Sequence, residues 1–178
     1  GPNAWHLKQK ARQGAEANPG SMHHYQTFNV TETMLAMGRQ CEVLEDFYSV
    51  LAHTSSTHAG FELGMDAWGS RDPGGNYPPH GWFAARYCEL LRNMLIREEG
   101  EVLHLASALS PKWVRPGEII RVTAAPTAFG RFSMEIRSKA EGAEISLSPD
   151  WRTPPKSIIF HIPWFTAAGS AEIDGEAT

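Results

Sequence analysis

Residues 81–110 read GWFAARYCELLRNMLIREEGEVLHLASALS, and a change of period inside this run decides the fold. Phe83, Tyr87, Leu90, Leu91, Met94 and Leu95 recur at the three- and four-residue intervals of one helical face, with Arg86, Glu89, Arg92, Arg97 and Glu98 on the wet side. Pro78-Pro79 before the run and Gly100 within it punctuate a helix from Gly81 to Gly100. Beyond Gly100 the helical period is gone and alternation takes over, so Val102–Leu109 reads as a strand. Helices followed by strands, rather than alternating with them, define an α+β chain.

Toward the N-terminus, Met34, Met37, Cys41, Leu44, Tyr48 and Leu51 form one stripe and predict a helix over about residues 30–51. Asn29 followed by Glu32 supplies its start signal, a side-chain acceptor for an orphan N–H and a carboxylate that reaches back. Met22, Met34 and Met37 are expected to fill core rather than bind a soft metal. Residues 3–27 are polar, with Lys8, Lys10, Arg12 and an Asn-Pro-Gly turn at 18–20, and give no wide apolar stripe. Adjacent His23 and His24 point to different faces and no matching Cys or Asp spacing follows, so they are expected at the surface or in loop packing.

Toward the C-terminus, Glu118–Ala124, Phe129–Ser138, Ala143–Leu147 and Ser157–Ile162 read as further strands, giving five short antiparallel strands and a β-sandwich. The clearest sets Phe132, Met134 and Ile136 inward against Arg131, Ser133, Glu135 and Arg137 outward. Glu141-Gly142 marks a hairpin to the next strand, with glycine at a position of positive φ. The expected divisions are a helical segment over 1–100, an antiparallel β-sandwich over 101–165 and a frayed tail over 166–178.

Between the two helices lies TSSTHAGFELGMDAWGSRDPGGNYPPHGW, residues 54–82, with six glycines, three prolines and neither period. Loops above roughly 12–15 residues in compact domains are either functional or disordered. Disordered segments are poor in aromatics, whereas this one holds Phe61, Trp68, Tyr77 and Trp82 among His58, Glu62, Asp66, Arg71, Asp72 and His80. It reads as the wall of a ligand site, with aromatic faces for stacking, carboxylates for hydrogen bonding or proton transfer, and glycines where backbone approaches a ligand. Each polar residue also has a structural alternative: Asp72 capping the turn before Pro73-Gly74, Asp66 pairing with Arg71, His80 bonding backbone at the helix start. A metal centre from His53, His58, Asp66 and His80 lacks a recognisable ligand spacing, so no metal and no cofactor are expected.

Composition narrows the partners. A net charge of −4, a pI near 6.1 and the absence of any dense Lys/Arg run argue against a nucleic-acid binder. No apolar run approaches the roughly 20 residues of a membrane span. Cys41 and Cys88 both fall within predicted helices, where buried, reduced thiols are expected and a helix-to-helix disulfide is the alternative. The start, Gly-Pro-Asn-Ala-Trp-His, has no signal-peptide core and reads as a cleavage scar or processed end. The chain is therefore expected to be a piece of something longer, with its compartment unknown.

PPHGW at 78–82, LLRNMLIREEG at 90–100, LHLASALSPKW at 103–113, PGE at 116–118 and APTAFGRFS at 125–133 stand in an order that resembles the C-terminal end of bacterial six-hairpin glycosidases. The resemblance covers roughly residues 54–165. It implies late helices of an α/α toroid followed by a β-sandwich, with the 54–82 loop at the mouth where sugars bind. It further implies glycoside hydrolysis by a pair of carboxyl groups, with Glu62, Asp66 and Asp72 as candidate catalytic residues and His58, Trp68, Arg71, His80 and Trp82 as substrate-binding ones. Too few helices are present to close a toroid, so the expected partners are a carbohydrate and either the remaining helices of the same enzyme or another copy of the chain. A carbohydrate-binding module presenting Trp113, Trp151 and Trp164, or a bracing module with no ligand, are the alternatives.

Overall fold

Gly38 splits the first helical stretch of the computed structural model, which describes residues 21–62, 64–66, 77–167, 169–173 and 176–177. Helix α1 spans His24–Ala36 and α2 spans Gln40–Ala52. Gly38 sits at φ +71°, open to a residue without a Cβ. Its N–H reaches Leu35 O, and the Arg39 N–H reaches Met34 O, each at 3.0 Å, which satisfies the last carbonyls of α1. The turn resets the helical phase, and the single stripe expected across 30–51 does not exist. Met34 and Leu44 are buried as expected, but Met37, Cys41 and Tyr48 are exposed, and the core positions of α2 are Val43, Leu44, Phe47 and Val50. The expected start at Asn29 is also displaced. Helix α1 begins at His24, and Glu32 instead accepts from Asn93 Nδ2 at 3.2 Å.

The chain is α+β and divides after Met94 into two compact units. In the first unit α1 and α2 join α3, Gly81–Leu95, around Phe28, Leu35, Val43, Phe47, Phe61, Phe83, Leu90 and Met94, all buried. Aromatic rings run through this core: Phe28 stacks on Phe83 at 5.6 Å and Phe47 on Tyr87 at 5.7 Å between centroids. Inside it Thr31 Oγ1 donates to Asp46 Oδ2 at 2.9 Å, joining α1 to α2 through two fully buried polar groups. Strand β1, Ser21–His23, pairs antiparallel with β2, Gly64–Asp66, so part of the long loop is regular structure. Cys41 and Cys88 form no disulfide, and they are exposed where buried thiols were expected, because the reset phase turns Cys41 outward and Cys88 falls on the wet side of α3.

In the second unit the helix has already ended. Ile96–Glu99 is strand β3, not the last turn of a helix reaching Gly100, and it forms a hairpin with β4, Val102–Leu105. Strands β5, Ile119–Thr127, β6, Gly130–Ser138, and β7, Ala143–Trp151, form an antiparallel meander. Phe132, Met134 and Ile136 face inward as read from the alternation, and Gly142 takes φ +83° in the expected hairpin. Strand β8, Ser157–Phe160, pairs parallel with β4, so the expected all-antiparallel arrangement fails at this strand. A parallel partner needs a long crossover, and here the whole meander is that crossover. The two three-stranded sheets share a core of Ile96, Leu103, Leu105, Leu109, Phe129, Phe132, Met134 and Ile136. Near the end, β9, Glu172–Ile173, pairs with β10, Glu176–Ala177, where a frayed tail was expected. No helix among the described residues is long and apolar enough to cross a membrane.

Candidate functional site

The two ends of the long loop meet beside β1. The His80 N–H donates to Gly60 O at 3.1 Å, closing residues 60–62 onto the start of α3. Gly60 is required there: a Cβ would stand 2.1 Å from the Phe83 ring. His80 Nδ1 accepts the Phe83 N–H at 3.4 Å, the helix-start bond anticipated as its structural role. His24, fully buried at the head of α1, accepts the Phe61 N–H on Nδ1 at 3.2 Å and lies 5.5 Å from both the Phe61 and Phe83 rings. Burial pushes its pKa down to about 4, with His53 and His23 adding repulsion, so it is a neutral packing group, as expected of a loop-packing histidine.

His23 is different. Burial lowers its pKa, the nearby His80 lowers it further and the Glu62 carboxylate pulls the other way, so His80 and Glu62 each lie within electrostatic reach of His23. Glu62 is exposed, and Trp82 and Tyr77 present 58% and 78% of their surface to solvent. An exposed carboxylate with two imidazoles and outward aromatic faces can hold a polyol by hydrogen bonds and stacking, and can exchange a proton with it. His58, also exposed, ends a tight turn at φ +60° whose Ser55 Oγ accepts the Ala59 N–H at 3.0 Å.

Of the candidates named from the sequence, Glu62 and His80 each act on His23 electrostatically, and Trp82 follows within the first turn of α3. His58 lies just upstream in the same segment. Asp66 has its backbone on β2; its side chain, together with Trp68, Arg71 and Asp72, lies outside the described residues. Adjacent His23 and His24 carry no ligand spacing in the sequence, and the pairing of β1 with β2 that places His23 involves residues some forty positions apart and leaves no local signal. Among the described residues no group of three or more His, Cys, Asp or Glu side chains is placed to hold a metal ion. In the β unit, Trp151 stacks on Phe132 at 5.4 Å and Trp113 packs partly against the core; Trp164 alone of the three named tryptophans is exposed.

Comparison with protein-family models, with curated proteins and with solved structures finds no match to this chain.

Proposed function

We propose that the chain is the C-terminal portion of a carbohydrate-active enzyme, a glycoside hydrolase acting on an oligo- or polysaccharide, and that residues 54–82 wall its sugar site. The observation that carries this reading is the exposed Glu62 carboxylate within electrostatic reach of His23, on a segment pinned by the His80–Gly60 bond and followed by the outward Trp82. In this reading α1–α3 are late helices of a toroid whose remainder comes from the same enzyme or another copy, the two three-stranded sheets form its β-sandwich, and the isolated chain is inactive. Glu62 acts as general acid or base, the imidazoles position hydroxyls and Trp82 stacks on a sugar face.

The test is Glu62→Gln in the enzyme that carries this chain, assayed on a panel of aryl glycosides. Turnover per folded molecule falls by about 10²–10⁴-fold, the range of a lost proton-transfer group, while the melting temperature is unchanged. Trp82→Ala raises KM more than it lowers kcat, since stacking is shared by ground and transition states. Unchanged turnover and affinity in both variants would sink the proposal.

A further inference from the structure

On the β3-β4-β8 sheet, four charged or titratable side chains line the face opposite the core, and none belongs to the site above. His104 on β4 pairs in register with Arg97 on β3, Glu99 follows two residues on, and His161 continues the face just after β8. The groups make a chain. Arg97 donates to Glu99 Oε2 at 2.6 Å, His104 Nε2 stands 3.7 Å from the same oxygen, and His104 Nδ1 meets His161 Nε2 at 2.8 Å with the rings stacked at 5.1 Å. Arg97 is 8% exposed and its Nε has no hydrogen-bond partner.

A 2.8 Å contact between two imidazole nitrogens needs a lone pair on one of them. The neutral pair satisfies this, and a singly protonated pair still does. A second proton puts N–H on both nitrogens, removes the bond and sets two cations beside the buried Arg97 guanidinium. The single counter-charge, Glu99, is 60% exposed and already engaged by Arg97. Burial lowers the pKa of both histidines, with Arg97 repelling His104 and His104 repelling His161, so both are neutral at pH 7 and take up protons below the ordinary imidazole range.

Beyond its short parallel ladder with β4, from Ser157 to Phe160, the strand this pair fastens has few other anchors. Lys156 and His161 donate backbone N–H bonds to Glu101 O and Leu105 O at either end of β8, and Lys156 forms an ion pair with Glu101. Ile158 and Ile159 remain more than two-fifths exposed, leaving Phe160 as the only residue of the strand packed against the core.

We infer that the His104–His161 pair is a pH-sensitive clasp that holds β8 on β4 at neutral pH and, doubly protonated, releases the strand and the Trp164 segment behind it. Release uncovers the backbone edge of β4, so the opened state is the one competent to take up another strand.

The test is amide hydrogen exchange on the full chain at pH 7.5 and pH 5.0, expressed as protection relative to intrinsic exchange. Protection of the Ile158–His161 amides falls about tenfold more than that of the Phe132–Ile136 amides over this interval, because the opened strand takes up its protons at higher pH than the closed pair. His161→Gln, which keeps hydrogen-bonding groups and removes the titration, abolishes the difference, and His104→Gln serves if that variant does not fold. In the wild type, the two imidazole Cε1–H resonances titrate in linked steps below pH 6.5. An equal fall in both strands, a difference that persists in the glutamine variant, or two independent titrations at the ordinary imidazole value would overturn the inference.

Discussion

The two units bury polar groups in opposite ways. The helical unit takes them inside and matches them one by one: Thr31 to Asp46, His24 to the Phe61 N–H, His53 Nδ1 to Ser49 O at 2.6 Å. The β unit, the buried Arg97 apart, keeps its charges in ladders on the wet face, with Glu135 held by Arg121 and Arg137 and Lys139 by Glu144, while its main hydrophobic cluster is apolar. Buried polar pairs specify partners but are costly when half removed. Surface ladders add little and tolerate change. The helical unit is therefore expected to be sensitive to single polar substitutions, and the β unit to lost apolar volume.

The largest effect belongs to the β core. Phe132→Ala removes a fully buried ring that stacks on Trp151, and denaturant unfolding of the β unit is expected to lose about 3–5 kcal/mol. A loss below about 1 kcal/mol would mean that the apolar core is not what holds this unit.

Acid is next, and it should strike the helical unit through His24. The folded pKa of about 4 lies below the unfolded value of 6.5, so the unfolded chain binds the proton first. Stability is complete above pH 6.5 and declines as pH falls toward 4, by up to about 3 kcal/mol for this group alone. Thermal melts between pH 7 and 4 should show a steeper fall in the wild type than in His24→Gln. Parallel falls would remove the contrast between a histidine buried singly and the pair His104–His161, whose loss is confined to one strand.

Smaller still is Thr31→Val, which preserves shape and deletes the hydroxyl that donates to Asp46, leaving the buried carboxylate one partner fewer. A loss of about 1–3 kcal/mol is expected by chemical denaturation. The smallest effect is at the β surface, where Arg115→Ala breaks an exposed pair with Glu118 and should leave the melting temperature unchanged within error. If Arg115→Ala cost as much as Thr31→Val, the proposed difference between the units would be gone.

The same contrast explains what could be read from the chain. The meander was legible because its signals are local: alternation in β6, glycine at 142, strands adjacent in sequence. The helix phase was lost at Gly38, a single residue whose left-handed φ rotates everything after it and which no periodicity count detects. Pairings between distant segments, β1 with β2 and β4 with β8, leave no local mark, and with them went His23 and the His104–His161 contact. The loop is singled out in the sequence by its aromatics and carboxylates, yet which of its described residues lie near one another depends on the Gly60–His80 bond, set by close packing under Phe83. The boundary at Leu95 was missed because Ile96–Glu99 continues the helical pattern while pairing as a strand.

The parallel pairing of β8 orders events in time. His104 and His161 stand 57 residues apart, and everything between them must be threaded before they meet. Closing a loop of that length costs entropy that the neighbouring hairpins of the meander do not incur. Pulsed hydrogen exchange during refolding should thus find β6 amides protected before those of β8, and simultaneous protection would refute the order. Until β8 arrives, β4 presents a bare edge, and for that interval the nascent chain is open to strand exchange with its neighbours.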